Sequence, residues 1–227
     1  MKIPMMGRRG PSAYLRREEL ATLVRENLKR ADLLGGMSKN YCVGLVDVAN
    51  STVNTARIPS SKMGEYYGIF LNAMTTIVEE FGAKVIKNIG DSLLYYFPRT
   101  DYASDRDSFL DVLECSLAMV DSHDTLNCIM TERSLPRTDY RISADYGIVT
   151  KSPTRGGEDL FGPTVNLCTK INGAAPPNGF VIGGDLFQLV KALRCYTFGV
   201  LGSYGLGLKF SYPVYTVQRR APNISLQ

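Results

Sequence analysis

The amino-acid sequence predicts an α+β domain built on a ferredoxin-like βαββαβ core. Short apolar runs at 41–48, 83–88, 92–97 and 140–149 have the length of strands and end in polar turns. Longer stretches with helical apolar spacing, 61–81 and 104–133, separate the first run from the second and the third from the fourth. Ile89-Gly90-Asp91 between the second and third runs is a hairpin signal. The order is therefore strand, helix, hairpin, helix, strand.

Taken in order, residues 1–36 form a basic lead followed by a helix from Ser12, whose stripe is Leu15, Leu20, Leu23, Val24, Leu28, Ala31 and Leu34. Gly35-Gly36 ends it. This helix packs on its own domain or pairs with a partner subunit. Residues 37–220 make the main domain and 221–227 a tail. The helix over 61–81 takes Ser61 as its cap and turns Tyr66, Ile69, Phe70, Ala73, Met74 and Ile77 inward, and Gly82 closes it. The helical region 104–133 breaks near 121–124. The Pro-, Gly- and Thr-rich stretch 150–158 reads as a loop, 163–173 as a helix and 213–217 as a final strand.

The chain has 227 residues, 44% apolar and 21% charged, which is the balance of a globular domain. A net charge of +4 without a dense basic tract argues against a nucleic-acid partner. The five cysteines include no CxxC pair, so neither a disulfide framework nor a zinc site is expected. His123, the sole histidine, stands in the polar stretch Asp121–Asp124 and reads as a solvated residue. No apolar run is long enough to cross a membrane, and the first residues lack the apolar core of a secretory signal. A cytoplasmic protein without a membrane partner is the expectation.

Two aspartates carry the chemistry. Asp47 ends the first strand and Asp91 sits in the hairpin turn. In a βαββαβ sheet these strands are neighbours, so both carboxylates emerge together and repel unless a cation lies between them. Hard oxygen ligands suit Mg²⁺ or Mn²⁺, which complete their shells with water and phosphate. Asn50-Ser51-Thr52 follows Asp47 as ordinary turn chemistry or as a backbone nest for a phosphate.

Three segments resemble the motifs of class III adenylyl and guanylyl cyclases, in the family's order. Val43-Gly-Leu-Val-Asp-Val-Ala-Asn-Ser-Thr is similar to the first metal motif. Phe81-Gly-Ala-Lys-Val-Ile-Lys-Asn-Ile-Gly-Asp-Ser-Leu-Leu-Tyr-Tyr-Phe is similar to the second metal and base-recognition motif. Asp159-Leu-Phe-Gly-Pro-Thr-Val-Asn-Leu-Cys-Thr-Lys-Ile is similar to the segment that carries the second base contact and the transition-state residues. The resemblance implies two divalent ions, Mg²⁺ or Mn²⁺, held by Asp47, Asp91 and the backbone carbonyl of Val48. It implies that Lys87 and Asp159 read adenine, that Asn166 positions the ribose, and that Lys209 grips the terminal phosphates. Lys170 falls where the family has an arginine, keeping the charge but losing the planar fork that holds two phosphate oxygens.

The activity so implied is conversion of ATP to cyclic AMP and pyrophosphate. In the family one subunit supplies the metal aspartates and the other the base and ribose residues. A chain with both sets implies a homodimer with two shared active sites. Two alternatives stand beside this: a cyclase-like module that binds nucleotide with weak or no catalysis, to which Lys170 points, and a cyclase acting on another nucleoside triphosphate. Gly156-Gly-Glu-Asp hints at a diguanylate cyclase, but that family carries its Gly-Gly signature in the central hairpin, which here reads Ile89-Gly90-Asp91.

Overall fold

In the computed structural model, residues 17–31, 36–56, 58–154, 157–205 and 211–221 are described. The chain divides into two units, Met1–Gly36 and Met37–Gln227. The first contains α1 (Arg17–Ala31), on which Leu20, Leu23 and Val24 are each about half exposed.

In the second unit β1 (Met37–Val48) runs into a short α2 (Ser51–Thr55) and then α3 (Ser60–Glu80). The hairpin β2 (Lys84–Ile89) and β3 (Ser92–Phe97) follows, then a 3₁₀ turn, α4 (Arg106–Asp121) and α5 (His123–Glu132). A second hairpin, β4 (Tyr140–Thr154) and β5 (Gly157–Phe161), leads into α6 (Pro163–Asn172). β6 (Gly179–Gly183), α7 (Gly184–Val190), β7 (Tyr196–Tyr204) and β8 (Tyr212–Arg219) complete the unit. The sheet order is β2-β3-β1-β4-β6-β8-β7, with β5 paired to β4 alone. Its first four strands are the expected βαββαβ core, and the last three extend it.

β1 explains the layering. Its residues alternate between two cores, as the two-residue period of a strand requires. Cys42, Val46 and Val48 join Leu93, Tyr95 and Phe97 of β3 in a core that also contains Tyr66, Phe70 and Met74 of α3 and residues of α4 and α5. Tyr41, Val43 and Leu45 join Leu94 and Tyr96 of β3, Leu160 of β5 and Cys168 of α6 in a second core. A strand buried on both faces reads as a continuous apolar run, which is why β1 was visible in the sequence.

The structure departs from the expected elements at 150–158 and at Ser61. The described residues of the stretch 150–158 are strand and not loop: β4 continues through Thr154, and β5 returns along it in the register Thr150↔Phe161 to Thr154↔Gly157. The Asn50-Ser51-Thr52 turn opens a single helical turn, α2. Ser61 does not cap α3, which starts at Ser60 behind Pro59 and has no side-chain cap bond. The break in the region 104–133 is present, between α4 and α5 at Ser122.

A buried carboxylate joins three elements at the middle of the sheet. Asp145 of β4 is fully buried. It accepts hydrogen bonds from the Tyr212 hydroxyl at 2.7 Å, from the Tyr146 amide at 2.9 Å and from the Leu186 amide at 3.4 Å. Burial pushes its pKa from 3.8 up to about 6, against the pull of those donors. With the folded value raised, its contribution to stability is full below the unfolded value and is lost as pH rises through the folded one. Asp145→Asn removes that slope. The unfolding free energy of the variant relative to wild type is expected to rise by on the order of 3 kcal/mol between about pH 4 and about pH 7 and to level off above. Urea titrations across that range measure it, and a flat difference would contradict the buried-carboxylate account.

Candidate active site

Strand register builds the acidic end of the site. β1 and β3 are antiparallel with Asp47 opposite Ser92, so the end of one strand meets the turn that starts the other. The Ser92 hydroxyl donates to Asp47 Oδ1 at 2.5 Å. Gly90 occupies the two-residue turn at φ +64°, a conformation that a side chain would strain, and hands the next position to Asp91. Burial raises the pKa of Asp47; the Ser92 bond opposes that, nearby Asp91 adds to it, and Arg141 opposes it.

Two polar atoms here are buried without a hydrogen-bond partner among the described residues: Asp91 Oδ2 and Arg141 Nε. An orphaned carboxylate oxygen and an orphaned guanidinium donor are costly to bury. Arg141 lies on β4 directly opposite Asp47. Asp91 Oδ2 beside Asp47 has the chemistry of a hard-cation ligand pair, and Arg141 that of an anion donor. The residues thus fit a divalent cation carrying phosphate. They supply two carboxylates; no cluster of three or more acidic, histidine or cysteine ligands occurs among the described residues. Val48 is the last, buried residue of β1. Asn50, at φ 54°, accepts the amides of Val53 and Asn54 at 3.0 and 3.1 Å, while Ser51 and Thr52 form the first turn of α2.

A second cluster contains Lys87 and Asp159. β2 is irregular between Val85 and Lys87, so that Lys87 rather than Ile86 pairs with Leu94. Such a bulge re-aims the side chain that follows it. The Lys87 ammonium donates to Asp159 Oδ2 on β5 at 2.6 Å. These residues, 72 apart in sequence, are brought together by the hairpin that sequence reading took for a loop.

α6 follows Gly162, whose φ is +137° and where a Cβ would lie 2.9 Å from the Ile148 carbonyl oxygen. The helix is fixed to the sheet from beneath. Asn172 donates to the carbonyls of Leu45 and Arg141 at 3.2 Å, and the Ser143 hydroxyl donates to the Cys168 carbonyl at 2.9 Å. Asn166 and Lys170, four residues apart, share the exposed face. Lys209 and Gly156 lie outside the described residues.

Arg141 was missed because one basic residue at the start of a strand carries no motif; its meaning comes from the strand beside it. His123 also needs correction. Its side chain is only 18% exposed; the ring lies 3.1 Å from Asp139 Oδ1 and 3.2 Å from Asp124 Oδ1. The Asp139 carbonyl accepts the Ala49 amide at 2.7 Å, so this network braces the turn after the acidic motif.

Known proteins share this fold. No family model matches the chain. An adenylate cyclase of Streptomyces coelicolor is 25% identical over 169 residues, 74% of this chain; the chain spans only 39% of that relative's length. The adenylyl cyclase CyaB of P. aeruginosa superposes with a TM-score of 0.74 at 16% identity, over 82% of this chain and 97% of that one. The guanylyl cyclase Cya2 superposes with a TM-score of 0.70 at 16% identity, over 85% and 98%. The fold is that of the class III nucleotidyl cyclase catalytic domain, as the motifs implied.

The unpartnered carboxylate gives a direct test. Asp91→Asn is expected to raise the melting temperature of the metal-free protein by about 2–4 °C, since it relieves about 1 kcal/mol of unpaired charge. The same change should abolish the rise in melting temperature that Mn²⁺ gives the wild type. A variant still stabilised by Mn²⁺ to the wild-type extent would remove Asp91 from the cation site.

Proposed function

We propose that this domain converts ATP to 3′,5′-cyclic AMP and pyrophosphate, at sites shared between two copies of the chain. The Lys87–Asp159 pair carries the choice of base. A lysine donates to a ring nitrogen of adenine and an aspartate accepts from its exocyclic amine; guanine presents the opposite pattern at both points. At 2.6 Å the two side chains already stand together as a donor and an acceptor.

The ribose 3′-oxygen attacks the α-phosphorus in line, the bond to the bridging oxygen breaks, and pyrophosphate leaves as the hydroxyl proton is lost. Asp47, Asp91 and the Val48 carbonyl would hold two divalent ions, Mg²⁺ or Mn²⁺. When bound, such ions acidify the 3′-hydroxyl and neutralise the triphosphate. Arg141, Lys209 and the backbone of Asn50, Ser51 and Thr52 hold phosphate oxygens. Asn166 orients the ribose and Lys170 faces the α-phosphate. Positioning and electrostatics carry the rate, with no side-chain general acid assigned.

The resemblance puts Asn166 and Lys170 across a subunit interface from the aspartates they serve, which supports a homodimer. Lys170, in place of arginine, favours a second reading, a nucleotide-binding module with weak turnover. Product analysis with each of the four nucleoside triphosphates, with Mg²⁺ or Mn²⁺, separates the two. Cyclic AMP as the main product supports the first, and nucleotide binding without turnover the second.

Two further outcomes are expected. Asp47→Ala and Asn166→Ala proteins should each be inactive, and mixing them should restore part of the activity through heterodimers with one intact site. No recovery despite demonstrated subunit exchange would refute the shared site. Replacing Lys87 by Glu and Asp159 by Cys should shift the ATP-to-GTP ratio of kcat/KM by about a hundredfold or more, at about 1–3 kcal/mol for each mismatched contact. An unchanged ratio would place base reading elsewhere.

A further inference from the structure

We propose that Lys151 is a positioning residue for base recognition: it ties β5 to β4 and β3 and so presents Asp159 to Lys87. The inference rests on the base-reading role given above to Lys87 and Asp159.

β5 needs such a tie. It has five residues and pairs with β4 alone, off the main path of the sheet. Leu160 buries the far part of this short strand in the second core, but its start, at Gly157 and Glu158, is held by a single ladder, and any pivot there would move the Asp159 carboxylate. Consecutive strand residues leave opposite faces, so Glu158 and Asp159 are tied from two sides. Lys87 of β2 takes Asp159, and Lys151 of β4 takes Glu158 at 3.2 Å.

Lys151 does more than form a surface ion pair. Its ammonium also donates to the Tyr96 hydroxyl at 2.8 Å and lies 5.0 Å from the centroid of that ring. Tyr96 is 1% exposed, belongs to the second core and meets Tyr41 edge-on with ring centroids 5.2 Å apart. An exposed ion pair alone would contribute little. A charged donor to a buried hydroxyl is worth more, and it connects Glu158 to the packed core of the sheet. The Tyr96 hydrogen bond and then Glu158 raise the pKa of Lys151, so the ammonium stays charged through the neutral range. The arrangement therefore separates two jobs: Lys87 reads the base, and Lys151 holds the strand that carries the second reader.

The test compares two ligands in the presence of Mn²⁺. One is 3′-deoxy-ATP, which lacks the attacking hydroxyl and stays intact; the other is inorganic tripolyphosphate, which has no base. In calorimetry, Lys151→Met should weaken 3′-deoxy-ATP about tenfold while leaving tripolyphosphate within about twofold. Amide hydrogen exchange over Gly157–Phe161 should accelerate in the same variant, and Lys151→Arg should restore most of both. Equal losses for the two ligands, or an unchanged affinity for 3′-deoxy-ATP, would overturn the proposal. Should Lys151→Met fail to fold, Glu158→Gln breaks the same tie from its exposed side and is held to the same outcomes. Neither measurement needs turnover, so failure of the cyclase reading shows separately, as wild-type protein that makes no cyclic nucleotide. A wild type that binds 3′-deoxy-ATP no better than tripolyphosphate would remove the base contact and the role of Lys151 together.

Discussion

A slip of β1 by one residue against its neighbours would send Asp47 to the face now held by Val46 and Val48 and turn Val46 toward the wrong core. Everything described for the site depends on that register being held. It places Asp47 opposite both Ser92 and Arg141, brings Asp91 to the same end of the sheet, and sets the Leu45 carbonyl where Asn172 can anchor α6. The register is enforced by apolar residues on both faces of β1, since an error would expose one core and bury charge in the other.

The site is assembled at the expense of local stability. Asp91 Oδ2 and Arg141 Nε are buried with no hydrogen-bond partner among the described residues, and Asp47 is held near a like charge. A chain selected only for stability would replace these groups with paired or apolar ones. Their persistence at one end of the sheet is the pattern expected where structure is subordinate to binding. The two charges have opposite sign, which matches a ligand that is itself a cation bound to a polyanion.

The parts legible in the sequence were those written in local pattern. β1, the β2–β3 hairpin, α3 and α6 each carry their own periodicity and punctuation, and the acidic pair follows from where two of those elements end. The parts that were not legible depend on a remote neighbour. β5 looks like a loop because Pro153, Gly157 and their surroundings have turn composition; what makes it a strand is the ladder to β4 and two lysine–carboxylate contacts. Arg141 acquires meaning only from Asp47 beside it, and His123 only from Asp139, 16 residues away. The cap expected at Ser61 falls inside α3, whose start lies one residue earlier, behind Pro59, and has no side-chain cap bond. For Lys209 the resemblance alone carries the assignment.

The pairing of β1 with β4 has a kinetic consequence. Cys42 lies opposite Tyr146, so the central ladder of the sheet closes a loop of about one hundred residues. Contacts that distant form late, and domains dominated by them fold slowly. Asp47 and Arg141 become neighbours only when that loop has closed. Until then the acidic pair of β1 and the β2–β3 turn stands without Arg141 beside it, so any anion that needs both signs of charge would bind the finished sheet and not its precursor.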